Sequence, residues 1–237
     1  MLFSRLLKKG EGSPLLFLHG FMGSGIDWQP IVSQIKNRTC IAPDLPGHGK
    51  TPWTNREISD LLVETLPQEA VDLVGYSLGG RLAIRFAMRY PERIRSLTLL
   101  SSHYGLKTEE EKQKRLKADQ AWALKFRTEP FGKIIEQWYS QDVFSSLKEK
   151  PKLLQEMISK RAAQDPTFLA KALETWSLGL QECAEEFLRT LPRLKIFYGS
   201  LDHKFAALYS GWDQAHEIPN AGHCLHLEAP KTITEAL

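Results

Sequence analysis

The sequence predicts an α/β domain, a mostly parallel, doubly wound sheet interrupted by a helical insertion. Three observations predict it. Short apolar runs alternate with segments of helical spacing over the first hundred residues; the alternation stops after about residue 102; and it resumes near residue 194. At 237 residues, 42% of them hydrophobic and 10% aromatic, the chain is long enough for one domain with a sizeable core.

The strands come first. Leu15-Leu16-Phe17-Leu18 ends at His19-Gly20, and Cys40-Ile41-Ala42 leads into Pro43-Asp44. Val71-Asp72-Leu73-Val74 leads into Gly75, and Leu97-Thr98-Leu99-Leu100 ends at Ser101-Ser102. Apolar runs of this length suit strands covered on both faces. Helical spacing is expected over 28–36, over 55–66, where Ile58, Leu61, Leu62 and Thr65 share a face, and over 78–90, which stops before Pro91. Between 103 and 191 no strand signal occurs, and 109–126, 131–139, 148–163 and 166–178 all read as helices. Strand signals return at Leu194-Lys195-Ile196-Phe197-Tyr198 and, weakly, at His216-Glu217-Ile218. The expected organisation is a sheet-bearing core of residues 1–102 and 191–237, with residues 103–190 as a helical cap.

Composition excludes several classes. A formal charge of +3, with basic residues interleaved among acids as in 107–117, does not call for nucleic acid, though it is compatible with an anionic small-molecule partner. No apolar stretch approaches the ~20 residues needed to span a bilayer, so no membrane insertion is expected. Residues 1–11 lack the apolar core of a secretory signal. Cys40, Cys183 and Cys224 are odd in number and widely spaced, which argues against a disulfide framework or structural zinc and makes a reducing cytoplasm the simplest compartment. The sequence leaves the oligomeric state open.

The chemistry centres on Gly75-Tyr76-Ser77-Leu78-Gly79. Gly-x-Ser-x-Gly between a strand and a helix is a nucleophile elbow, a turn so tight that small residues must flank the serine. The competing reading is a plain turn with an idle serine, and the strand before and long helix after weigh against it. A serine hydroxyl needs a base, and the chain order serine, acid, histidine points to Asp202, in the loop after 194–198, and His223, after 216–218. His226 is a rival base but reads as the first turn of the last helix. His203 is too close to Asp202 to be oriented by it, His216 falls in a strand, and Asp213 follows no strand. The histidines form no metal-type spacing such as His-Glu-x-x-His, and no metal is expected. His19-Gly20-Phe21-Met22-Gly23 is the usual place for one oxyanion donor, assigned to the Phe21 N–H, with the other on Leu78. Pro43-Asp44-Leu45-Pro46-Gly47-His48-Gly49 is taken as structural, with His48 a satisfied polar residue. Arg81, four residues after Ser77, falls on the same helix face; a substrate anion, a nearby acid or solvent could each account for it.

Gly75-Tyr76-Ser77-Leu78-Gly79-Gly80-Arg81 resembles the elbow of the 2-succinyl-6-hydroxy-2,4-cyclohexadiene-1-carboxylate synthases of menaquinone biosynthesis, members of the α/β-hydrolase fold. The resemblance extends through Gln120-Ala121-Trp122, 126–130, 138–144, 173–178 and Asp202-His203-Lys204-Phe205, and so covers nearly the whole chain. It departs at 229–237, short for a last helix, which leaves open a natural chain that continues. The resemblance implies a substrate with three carboxylates. It puts anion-binding arginines on Arg81, Arg115 and Arg161, and further pocket positions on Tyr76 and Trp138; without it, Arg115 and Arg161 would read as a solvated helix face. It also implies a lyase that removes a proton with Ser77 and His223 and expels pyruvate, with no cofactor. A serine esterase or carbon–carbon bond hydrolase of the same fold, and a non-enzymatic ligand receptor, are the alternatives.

Overall fold

The computed structural model describes residues 1–237. Seven strands form one sheet: β1 (Ser4–Lys8), β2 (Gly12–Leu18), β3 (Arg38–Pro43), β4 (Val71–Tyr76), β5 (Ile94–Leu100), β6 (Leu194–Gly199) and β7 (Ala215–Ile218). Their spatial order is β1-β3-β2-β4-β5-β6-β7, parallel throughout except for β1, which pairs antiparallel with β3. Eleven α-helices accompany it. α1 (Gln29–Val32), α2 (Ile58–Thr65) and α3 (Leu78–Arg89) connect the first strands. α4 (Glu109–Thr128), α5 (Phe131–Tyr139), α6 (Pro151–Arg161), α7 (Pro166–Thr175) and α8 (Glu185–Thr190) lie between β5 and β6. α9 (His203–Leu208), α10 (Leu225–Glu228) and α11 (Pro230–Ala236) close the chain.

Successive side chains of a strand point to opposite faces, and the core divides accordingly. On β2, Leu15 and Phe17 join Trp28, Ile31, Val32 and Ile233, while Leu16 and Leu18 join Leu61, Leu62, Leu82 and Phe86. Both faces are therefore buried, which is why the strands read as unbroken apolar runs rather than alternating ones.

The sheet departs from the sequence reading at its edge. β1, Ser-Arg-Leu-Leu-Lys, lacks a strong apolar signal because its faces are poorly covered: Leu6 is exposed and only Leu7 packs on the core. Residues 28–36 form only one turn of α-helix, after a 3₁₀ turn at Gly25–Trp28. The expected helix 148–163 begins at Pro151 instead, because proline suits a first helical turn and restricts the residue before it; Asp142–Glu149 is 3₁₀. The helix at 166 ends at Thr175, not 178. α8 and α9, six residues each, are too short to set up a readable period.

In the parallel part, the chain leaves β2 for β3 on one side and leaves β4 for β5 on the other, so the connections after these two neighbouring strands run in opposite directions. The crevice at the C-terminal ends of β2 and β4 is the switch point where such sheets bind ligands. Register pairs Leu18 with Gly75, which brings the turn after β2 beside Ser77.

Candidate active site

Ser77 joins β4 to α3 with φ 48° and ψ −111°, a conformation costly for any residue with a Cβ and one that thrusts the side chain out of the turn. The neighbouring glycines make the turn possible. A Cβ on Gly75 would run into the backbone of Gly80, and one on Gly80 would strike the Ser102 side chain. The turn is held by the Ser77 N–H donating to the Leu100 carbonyl at 2.9 Å.

The structure brings His223 and Asp202 to this serine. His223 Nε2 lies 3.2 Å from Ser77 Oγ, and His223 Nδ1 lies 2.8 Å from Asp202 Oδ2. Asp202 is positioned as the N-cap of α9, where its Oδ1 accepts the Phe205 N–H at 3.4 Å. Both residues are buried, and the Phe205 and Phe144 rings pack against the imidazole with centroids 5.1 and 5.6 Å away. His203 and Asp213 are exposed, and His216 is an exposed residue of β7 beside Phe197. His226 lies in the short helix α10, its ring between Trp28 and Tyr76, where burial pushes its pKa down to about 3.

The Phe21 and Leu78 N–H groups donate to no protein acceptor. Both residues line a cavity of about 540 Å³ that also exposes Ser77 and His223. Its walls come from the sheet ends and from the helical insertion. Trp138 packs on Phe21 at a tilt, with centroids 4.8 Å apart; Trp122 extends the aromatic wall, and buried Phe126 backs Trp138 from behind it.

Arg81 and Arg115 reach this cavity together. The Arg81 guanidinium donates to the Trp176 carbonyl at 2.7 Å and to Gln181 Oε1 at 3.3 Å, with no carboxylate partner. Burial, with Arg115 adding repulsion, pulls its pKa down to about 9. Arg115 Nε donates to both oxygens of buried Asp119 at 2.9 Å, and Asp119 also accepts from Ser177 Oγ at 2.7 Å.

Arg161 and Tyr76 go elsewhere. They line a small chamber of about 40 Å³ that shares Phe21, Ser77, Trp138 and Phe144 as walls with the main cavity. Arg161, only 4% exposed, forms a two-pronged pair with Asp27 at 3.0 and 2.7 Å and donates to the Tyr139 hydroxyl at 3.3 Å. Burial works against its charge, but Tyr139 and Asp27 outweigh that and raise its pKa. Tyr76 shares a 3.2 Å hydrogen bond with the Cys224 thiol. The structure therefore does not bring the three arginines into one cavity, because Asp27, a residue whose role the sequence reading did not foresee, holds Arg161 apart.

Four other residues at the site were not singled out from sequence. His103 and Lys204 line the cavity; burial, with the cations Lys204, Arg81 and Arg115, pushes the His103 pKa down to about 3. Asp119 and Gln181 hold the two arginines. The i, i+4 spacing of Arg115 and Asp119 was the readable signal for one of them. His48, expected to be satisfied, is so at Nδ1 alone, 3.1 Å from the Pro46 carbonyl oxygen; its buried Nε2 has no partner, since the ring sits among His19 and Phe21.

A switch-point crevice, a strained serine on a glycine-built elbow and a helical insertion over them define an enzyme of the α/β-hydrolase fold. The family profile described as alpha/beta hydrolase fold matches residues 13–230. The 2-succinyl-6-hydroxy-2,4-cyclohexadiene-1-carboxylate synthase of Enterobacter sp. (strain 638) is 34% identical over 232 residues, spanning 94% of this chain and 89% of its own. That of Escherichia coli O17:K52:H18 (strain UMN026 / ExPEC) is 35% identical over 234 residues, spanning 94% and 91%. The chain belongs to this synthase family. Among solved structures, MenH from S. aureus superposes with a TM-score of 0.91 at 24% identity, covering 100% of this chain and 96% of its own. A malate-bound thermophilic esterase from Thermogutta terrifontis gives 0.82 at 22% identity, covering 99% and 90%. At such identities these two likenesses speak for the fold alone.

Proposed function

We propose that the protein is a carbon–oxygen lyase that eliminates pyruvate from 2-succinyl-5-enolpyruvyl-6-hydroxy-3-cyclohexene-1-carboxylate, giving 2-succinyl-6-hydroxy-2,4-cyclohexadiene-1-carboxylate in menaquinone biosynthesis. The observation that carries this reading is Arg81, a cation one helical turn from Ser77 and facing the same cavity, without a carboxylate partner, in a chain about a third identical to these synthases. A neutral ester has no use for it; a multiply charged anion does.

His223, oriented by Asp202, draws the proton from Ser77 Oγ, and Ser77 removes the proton beside the succinyl ketone. Charge then builds on the ketone oxygen, where the free N–H groups of Phe21 and Leu78 stabilise it. The enolate collapses through the ring double bond, the carbon–oxygen bond to the side chain breaks, and the departing enolpyruvate takes a proton to become pyruvate. Trp138 and its aromatic neighbours wall the site against water. No metal or organic cofactor enters this scheme, and a cytoplasmic location belongs to the same reading.

The test is to incubate purified protein with the enolpyruvyl substrate and follow pyruvate. Ser77→Ala and His223→Ala are each expected to slow release by about 10³-fold or more. Normal release by Ser77→Ala would sink the assignment. Trapping of an acyl-serine by neutral esters, with the tricarboxylate left untouched, would favour a hydrolase instead.

A further inference from the structure

Three cations face the main cavity: Arg81, Arg115 and Lys204. Arg115 spends its Nε on Asp119, which leaves its two terminal nitrogens for a ligand. Lys204 is the second residue of α9, two places after Asp202. The Asp202 cap orders the first turn that carries it, and its neighbour Phe205 is buried against His223 at 5.1 Å. The ammonium lies 5.8 Å from the Phe205 ring centre and pairs with no carboxylate. Lys204 as a whole residue is exposed, but partial desolvation of its ammonium, then the nearby Arg115, lower its pKa. Cations that converge on one space repel one another, and a multiply charged anion offsets that repulsion. Arg161 is not in this set, since its fork is closed by Asp27 in the small chamber.

We propose that Lys204, with Arg81 and Arg115, forms the carboxylate-binding set of the main cavity, and that Lys204, not Arg161, takes the third carboxylate of the substrate. The inference rests on the lyase reading and extends it to the side chain that completes charge matching. A long cationic side chain suits the position because its ammonium can donate to a carboxylate from several directions.

Steady-state kinetics of Lys204→Ala are expected to give a KM raised about tenfold or more with kcat within about threefold, the pattern of a lost binding contact. Lys204→Arg should recover most of the loss, and Lys204→Met none. Lys152→Ala, which removes an equal charge from the exposed face of α6, should leave KM unchanged. A KM for Lys204→Ala within twofold of the parent overturns the proposal. Equilibrium binding of the intact tricarboxylate to a Ser77→Ala background reads the anion site without chemistry. There, adding Lys204→Ala should weaken binding by a similar factor, and equal affinity overturns the proposal. A parent enzyme that binds the tricarboxylate but releases no pyruvate would instead count against the lyase reading alone.

Discussion

Replacing Arg161 with methionine tests whether this side chain serves the fold or the substrate. The pair it forms with Asp27 has side-chain exposures of 4% and 3%, and two short contacts join the groups. Removing the cation leaves the Asp27 carboxylate with the Ser24 N–H at 3.1 Å as its remaining close donor. Stripping one partner from such a buried pair costs about 3–5 kcal/mol. For a domain of this size that lowers Tm by roughly 6–20 °C. The pH dependence has a definite sign. Burial pushes the Asp27 pKa up and Arg161 more than reverses this, so its folded pKa is lowered, and the pair's stabilisation is present above the unfolded carboxylate range and lost as pH falls through the folded value. In Arg161→Met burial outweighs the single Ser24 donor, Asp27 holds its proton in the folded state to higher pH, and stability falls as pH rises. The gap between parent and variant should therefore widen from pH 4 to pH 7, and Asp27→Asn added to Arg161→Met should recover part of the loss. Urea unfolding at several pH values, with KM for the tricarboxylate measured well below the variant's Tm, checks this; KM should stay within about threefold. A Tm within about 2 °C of the parent, joined to a large rise in KM, would refute the reasoning and return Arg161 to the substrate.

Asp119→Asn separates positioning from simple charge. Removing an anion from a cationic cavity should tighten an anionic substrate if charge alone matters. Because Asp119 fixes the Arg115 fork through both oxygens, the expected result is a higher KM, which steady-state kinetics read directly. Acid should destabilise the protein well before the carboxylates titrate. Burial holds His48 and His226 near 3 in the folded state, against 6.5 when exposed, so the unfolded chain binds more protons as pH drops below 6.5. Each should cost about 2 kcal/mol by pH 5, and urea titrations at pH 7.5 and pH 5 that agree with each other would contradict this.

The parts of the site legible in the sequence were those where chemistry constrains neighbours along the chain. Ser77 needs glycines within three residues, so its elbow is written locally. Asp202 and His223 each follow a strand, and strand ends in a doubly wound sheet gather at one edge, so their meeting followed from order alone. β1 was not legible, since its faces are largely uncovered and its short polar-apolar mixture shows no buried run. The short helices α8 and α9 were too brief to show a period, and α9 is the element that aims Lys204.

Arg161 marks the limit of such reading. In sequence it is one more arginine on a charged helix, equal to Arg115, and resemblance assigned both to substrate. The partners that separate them are Asp119, four residues along the same helix, and Asp27, 134 residues away on the far side of the Ser77 crevice. The sequence alone determined the six parallel strands, the position of the serine and the order of its partners, because these depend on local spacing and strand succession. Which cations face the main cavity was decided only by the tertiary structure, because whether a charge is free or spent depends on what packs against it, and that partner can come from anywhere in the chain.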